Sequence, residues 1–205
     1  RLPSATNVAG LDGFKEGAWW VQDAAASLPV QLFGDNLKEK CIADICAAPG
    51  GKTAQLISAG AEVIALDKSE KRIEILTENL NRLSFFPEII CEDAMIWQPK
   101  KLLDGVLIDA PCSATGTIRR HPDIKYLKNN KVILQTHRIQ LRLLKAATKM
   151  IKRDGQIVFS TCSLQPEEGP KVIEVFLSEH SDWQRKSIPP KIIQKHSEFI
   201  TSAGD

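Results

Sequence analysis

Several features are missing from this chain, and each absence narrows the reading. In its 205 residues no apolar run approaches the ~20 needed to cross a bilayer. No charged, then apolar, signal-type stretch opens it, and the start Arg1-Leu2-Pro3-Ser4-Ala5-Thr6 reads as the middle of a longer protein. Five cysteines make an odd number and none are spaced as CxxC, so neither a disulfide framework nor a zinc site is indicated. No metal site is expected, and a reducing cytoplasm is the expected compartment. There is no internal repeat and no low-complexity segment. A GxGxxG dinucleotide fingerprint is absent. A phosphate-binding P-loop would need glycine five positions before Gly51, where Cys46 stands instead.

The composition that remains, 43% hydrophobic and 25% charged, is that of one globular domain with enough length for a core. Residues 1–15 read as a linker or the end of a preceding region, and 16–205 as the domain. The net charge of +2 conceals an asymmetry. From Arg119 to Arg153 eleven Lys or Arg stand against one acid, Asp123, so this segment carries +10 and the rest −8. Such a segment suits a polyanion, or else forms a solvated helix face.

Hydrophobic spacing predicts helices over Glu16–Phe33, Thr53–Ala59, a stretch capped by Ser69, Asn130–Arg153 and Pro166–Ser178. Short apolar runs predict strands at Cys41–Cys46, Glu62–Leu66, Pro87–Cys91, Gly105–Ile108 and Gln156–Ser160. Residues 113–124 read as a loop, and Ile188-Pro189-Pro190 as a break in regular structure. Strands alternate with helices, and their runs are continuous rather than alternating, as in strands buried on both faces. The expected class is therefore α/β, with a central, mainly parallel sheet and helices on both faces.

Such sheets bind ligands at the carboxyl ends of their strands. Cys46, Asp67, Asp93, Asp109 and Cys162 all fall at or just after a strand end. Pro49-Gly50-Gly51 permits a tight turn and close ligand approach. A carboxylate at Asp67 can accept from two vicinal ribose hydroxyls, and Asp93 from an adenine amino group. A ligand with ribose and adenine but no phosphate fits best, namely S-adenosyl-L-methionine; a tight turn that binds nothing is the alternative. Two thiols at strand ends beside such a loop, Cys112 and Cys162, suggest covalent chemistry on a heterocycle.

Three strings carry a resemblance. Asp44–Thr53, then Asp109–Thr117 with Arg119-Arg120-His121-Pro122-Asp123, then Ser160–Ser163 with Gln165-Pro166-Glu167-Glu168, resemble the RNA 5-methylcytosine methyltransferases. Within these, the chain is most similar to the bacterial 16S ribosomal RNA cytosine-C5 methyltransferase B family, also called Sun or Fmu. Gly17–Asp23 resembles that family's segment before the cofactor loop, and the likeness runs collinearly over roughly residues 15–180. It implies a Rossmann-like, S-adenosylmethionine-dependent fold, with an amino-terminal RNA-binding domain absent from this chain and a carboxyl-terminal hairpin left incomplete.

The resemblance implies that Cys46, Ala47, Ala48, Pro49, Gly50, Gly51, Lys52, Asp67, Asp93 and Asp109 hold the cofactor. It makes Cys162 the nucleophile at cytosine C6 and Cys112 the assistant in product release. Asp109 would meet cytosine N3, and Lys52 would position groups around the methyl. Arg119, Arg120 and His121 follow the Pro-Cys motif and are expected to hold phosphates of ribosomal RNA around an unpaired or flipped cytosine. The same chemistry on transfer RNA and a non-catalytic RNA-binding module are alternatives. DNA cytosine methylation would use Cys112 and a later Glu-Asn-Val, but the nearest string, Glu78-Asn79-Leu80, precedes the Pro-Cys motif. Cys41 and Cys91 are expected to be buried and inert, Cys46 to offer only backbone, and Trp19 and Trp20 to pack rather than stack on RNA. His137 and His196 have no evident partners in the sequence.

Overall fold

A computed structural model of the chain describes residues 6–193. The outer ends of the two expected regions and His196 lie outside the described residues.

Five strands form one sheet: β1 (Cys41–Ile45), β2 (Glu62–Asp67), β3 (Glu88–Cys91), β4 (Leu103–Asp109) and β5 (Ile151–Ser160). Their order is β3-β2-β1-β4-β5, and every pairing is parallel. The chain starts in the middle, winds outward to β3, then returns past β1 to β4. That reversal leaves a crevice beyond the carboxyl ends of β1 and β4, where open α/β sheets bind ligands.

Helices cover both faces. On one side lie α1 (Ala24–Gln31), α2 (Gly51–Ser58) and α3 (Glu70–Arg82); α4 (Ile124–Leu127) is a single turn in the connection that follows β4. On the other side lie α5 (Asn130–Ala147) and α6 (Pro170–Glu179). Successive residues of a strand point to opposite faces. Accordingly Ala43, Ile45, Val106 and Ile108 pack with Leu143, Leu144, Val172 and Phe176, whereas Ile42 and Leu107 pack with Val30 and Leu56. Ala65 continues the second face toward Leu76 and Leu80 of α3.

Five elements differ from the sequence-based expectation. The first long helix reduces to α1, because Asp23 caps it by accepting from the Ala25 N–H at 2.9 Å. The carbonyls of Phe14 and Trp19 turn instead to Arg82, at 2.6 and 3.1 Å. Ser69 occupies the cap position of α3, but its side chain makes no capping bond; Asp67 Oδ1 accepts from its N–H at 3.1 Å. Helix α5 ends at Ala147 rather than Arg153, since Ile151 pairs with Leu103 and already belongs to β5. The last expected helix splits into a 3-10 turn, Pro166–Glu168, followed by α6, and a short α7 (Pro190–Ile193) stands where a break was expected.

Cys91 also corrects its expectation, for it is exposed. It ends β3, an edge strand whose two terminal residues face solvent. Trp20 is packed against the core as expected, whereas Trp19 packs only locally, outside the core clusters. Trp19 lies 5.3 Å from Phe14 and donates to the Asp12 carbonyl, while Trp20 packs against the α3 side of the core. No described helix is long and apolar enough to cross a membrane.

Candidate active site

The turn after β1 is built almost wholly from backbone. Cys46 adopts φ +65°, and Gly50 sits at φ +107°, a left-handed conformation that costs a side chain strain. A Cβ on Gly50 would stand 2.8 Å from Leu76 Cδ1, so α3 also depends on its absence. Arg72 Nη2 donates to the Ala48 carbonyl at 2.5 Å and Asn79 to that of Pro49 at 2.9 Å, tying the turn to α3. Burial pushes the Cys46 thiol up to about 12. It stays a neutral thiol at physiological pH, consistent with a backbone contribution alone.

Beneath the turn lies Asp44, fully buried in β1, which accepts from Thr53 Oγ1 at 2.6 Å. Burial raises its carboxyl to about 7, against the opposing pull of that hydrogen bond, with the Asp109 charge adding to the rise. An aspartate inside an apolar strand was the signal available in the sequence, though no role had been attached to it.

Asp67 ends β2, 3% exposed. Its Oδ2 lies 3.1 Å from Arg72 Nη1 but is not aligned for a hydrogen bond, and it remains a buried acceptor without one. A buried acceptor with no hydrogen bond of its own, beside a glycine turn, fits a ribose hydroxyl. Asp93 follows β3; its Oδ1 accepts from the Met95 N–H at 2.9 Å, which leaves Oδ2 for a ligand.

Asp109 ends β4 and faces the crevice with two partners. Lys52 Nζ donates to Oδ2 at 2.7 Å, and Ser160 Oγ to Oδ1 at 3.2 Å. Lys52 comes from the first turn of α2, so this ion pair joins the glycine turn to the β4–β5 side. The cysteines lie just beyond. Cys112 and Cys162, fifty positions apart, bring their sulfurs to 3.4 Å. Cys162 is exposed and Cys112 half-buried. The Cys162 hydrogen bond draws Cys112 down to about 6. The same bond, with burial and the charges of Cys112 and Asp109, raises Cys162. One negative charge is therefore easily held by the pair and a second is opposed.

The basic loop is attached to this centre. Gly116 N–H donates to the Cys162 carbonyl at 2.9 Å, and Arg120 and His121 donate their N–H groups to Thr117 at 2.8 and 2.9 Å. Arg119, Arg120 and His121 are all exposed, with Arg120 3.8 Å from Asp23. The whole basic segment is not one patch. Helix α5 spans 18 residues, roughly 27 Å. Lys145 at its far end pairs with Glu179 at 2.6 Å, and Lys152, past it, donates to Asp104 at 2.9 Å. Sequence reasoning also missed the polar residues that fasten the cysteine loops, Ser113, Thr136, Gln140, Ser163 and Glu168. His137, without an evident partner in the sequence, has its Nδ1 2.6 Å from the Glu167 carbonyl.

This sheet order, with a glycine turn after its first strand and acids ending the next, defines a Rossmann-like methyltransferase fold. A family model described as 16S rRNA methyltransferase RsmB/F matches residues 33–200, and the chain belongs to that family. It is 43% identical over 189 residues to a protein named ribosomal RNA small subunit methyltransferase B from Proteus mirabilis, covering 90% of this chain and 44% of that protein. The Vibrio cholerae protein of the same name is 41% identical over 186 residues, covering 88% and 43%. Among solved structures, NSun6 from Pyrococcus horikoshii with SFG superposes with a TM-score of 0.75 at 31% identity, over 87% of this chain and 46% of that one. A methyltransferase homolog protein from the same organism gives 0.69 at 30% identity, over 85% and 56%. The chain thus spans less than half the length of these curated relatives.

Proposed function

We propose that this chain is the methyl-transferring part of an S-adenosyl-L-methionine-dependent enzyme that methylates C5 of a cytosine in 16S ribosomal RNA. The observation that carries the reading is the pair of sulfurs at 3.4 Å on the rim, next to the Lys52–Asp109 ion pair. Family membership and the names of the relatives support methyl transfer to ribosomal RNA; the cytosine and the covalent route rest on the site.

The carboxylates of Asp67, whose Oδ2 is ion-paired with Arg72 but accepts no hydrogen bond, and of Asp93, with the backbone of Cys46–Lys52, suit the ribose, the adenine and the amino-acid tail of the cofactor. When bound, S-adenosyl-L-methionine supplies an electrophilic methyl on its sulfonium. Cytosine C5 is too electron-poor to take that methyl unaided. Addition of the Cys162 thiolate to C6 makes C5 enamine-like, so one hard step becomes several easier ones. Cys162 is the more exposed thiol and so the more accessible to a base. The pair readily gives up one proton, and attack uses the form in which Cys112 keeps the remaining proton and Cys162 carries the charge. With the methyl on C5, a base from solvent takes the C5 proton, the C5–C6 double bond re-forms as the Cys162 sulfur leaves C6, and Cys112 returns its proton to that sulfur.

Asp109 reaches N3 of the base. To donate there it must carry a proton, and the Lys52 ammonium on Oδ2 competes with that proton. Binding of the base therefore displaces Lys52, which then faces the cofactor. Arg119, Arg120 and His121 hold phosphates at the mouth, and the target is an unpaired or flipped cytosine, since C6 is hidden in a stacked duplex. Ribosomal RNA as partner is consistent with a cytoplasmic protein.

Labelled-methyl transfer to naked 16S RNA, 30S particles and transfer RNA tests the substrate; labelling of transfer RNA alone would replace it. Cys162→Ala abolishes transfer while cofactor still binds in a calorimetric titration. Cys112→Ala accumulates a protein–RNA adduct that survives denaturant. Turnover by Cys162→Ala, with a dead, adduct-free Cys112→Ala, would reverse the roles. Absence of both cofactor binding and adduct would leave an RNA-binding module.

A further inference from the structure

Glu168 closes the 3-10 turn Pro166–Glu168 and has no exposed surface. A buried carboxylate is strongly unfavourable unless its oxygens are satisfied. Here four uncharged donors point at it. Ser113 N–H donates to Oε1 at 2.8 Å, and Ser163 Oγ to Oε2 at 2.6 Å. Ser113 Oγ and Thr136 Oγ1 supply the other two. Ser113 directly follows Cys112, and Ser163 directly follows Cys162. One side chain thus grips the residue after each thiol.

The two loops are laced together around this grip. Ser163 Oγ lies 3.1 Å from both Ser113 Oγ and Thr115 Oγ1, and Leu164 N–H donates to Thr115 Oγ1 at 2.9 Å. A Cβ on Gly116 would stand 2.7 Å from the Cys162 carbonyl oxygen, so the loops meet at backbone contact. Helix α5 backs the assembly: Gln140 Nε2 donates to the Pro111 carbonyl at 2.9 Å, four residues along from Thr136 and three from His137, and so on the same helix side. Filling this space would need only hydrocarbon. A carboxylate instead brings two oxygens that accept from both loops at once, which neither an alkyl group nor an amide does.

We propose that Glu168 is the positioning residue that holds Cys112 and Cys162 at reacting distance, by accepting hydrogen bonds from the residue after each cysteine. The proposal rests on the reading of these cysteines as the reacting pair. Its consequence is chemical: the sulfur–sulfur hydrogen bond exists only while both loops are held, and with it the ease of forming one thiolate.

The test uses the 205-residue chain without RNA or methyl donor. Iodoacetamide alkylation of Cys112 and Cys162 is followed against pH by peptide mass spectrometry. Closure of the Cys112–Cys162 disulfide by oxidised glutathione is timed; one thiolate displaces a glutathione thiolate, the second sulfur displaces the other from it, and two protons are shed. Glu168→Gln, which aims an amide donor at donors, is expected to raise the alkylation midpoint by about one pH unit and slow closure about tenfold. Glu168→Asp is expected to recover part of both. Lys171→Ala, which removes only the exposed pair with Glu167 at 2.7 Å, leaves both unchanged.

A folded Glu168→Gln, judged by thermal unfolding and circular dichroism, that shows the wild-type midpoint and closure rate would overturn the proposal. If Glu168→Gln does not fold, Ser163→Ala takes its place, with closure slowed about threefold expected and an unchanged rate overturning it. Failure of methyl transfer with intact thiol chemistry would sink the function while leaving Glu168 its role.

Discussion

The two sides of the sheet rim are assembled differently. Around β1–β3 the cofactor-side groups come from consecutive chain: seven residues of one turn, then one acid at the end of each next strand. Backbone does most of the holding, and α3 braces it through Arg72 and Asn79. Around β4–β5 each thiol is brought from a separate loop, and the loops are fastened by hydroxyls around the buried Glu168, which lies six residues beyond Cys162 in the connection to α6. The first arrangement rests mainly on backbone, with the acids as its side-chain contributions. The second rests on side-chain hydrogen bonds between loops. The Lys52–Asp109 ion pair joins them.

The largest expected effect that breaks this contrast lies at Asp67. Asp67→Ala removes the buried acceptor and lowers affinity for S-adenosyl-L-methionine about a hundredfold by titration calorimetry, roughly 2.7 kcal/mol, while the pH profile of cysteine alkylation stays put. A shifted thiol profile would show that the two sides are coupled. Asp44 comes next. Its folded carboxyl keeps a proton up to about pH 7, whereas an unfolded one releases it near 4. The folded state therefore binds more protons across that window, and stability falls as pH rises through it, by an amount of order 4 kcal/mol. Asp44→Asn flattens that fall in denaturant melts taken between pH 4 and 8; an unaltered slope would remove Asp44 as its source.

Gly50→Ala meets both a left-handed backbone and Leu76 Cδ1, and is expected to cost about 2 kcal/mol in thermal unfolding. The smallest effect separates the ends of the basic segment. Arg119→Ala lowers the salt slope of RNA binding by about one. Lys152→Ala leaves it unchanged, because Lys152 is occupied with Asp104 at the opposite end of the sheet. Equal effects would mean the segment acts as one surface.

The cofactor side was readable because its motif is local. Asp44–Thr53 carries its own turn chemistry, and Asp67 and Asp109 announce strand ends by following apolar runs. The cysteines were readable as two thiols in motif contexts but not as a pair, since nothing in the spacing of Cys112 and Cys162 encodes a contact. Ile151 misled for a related reason: it fits the apolar stripe of α5, and only Leu103 across the sheet recruits it to β5. Cys91 misled because an apolar run does not say whether its strand will be central or at an edge.

Sequence by itself determined the alternation of strands and helices, the glycine turn and the presence of two thiols in motif contexts, because these depend on period, backbone freedom and side-chain type within a few residues. Tertiary structure alone decided that the sulfurs meet, that Lys52 faces Asp109, that Glu168 holds both cysteine loops and that the basic segment divides. Each of those depends on hydrogen-bond directions and burial between segments tens of residues apart, and such geometry exists only once the sheet has closed its order.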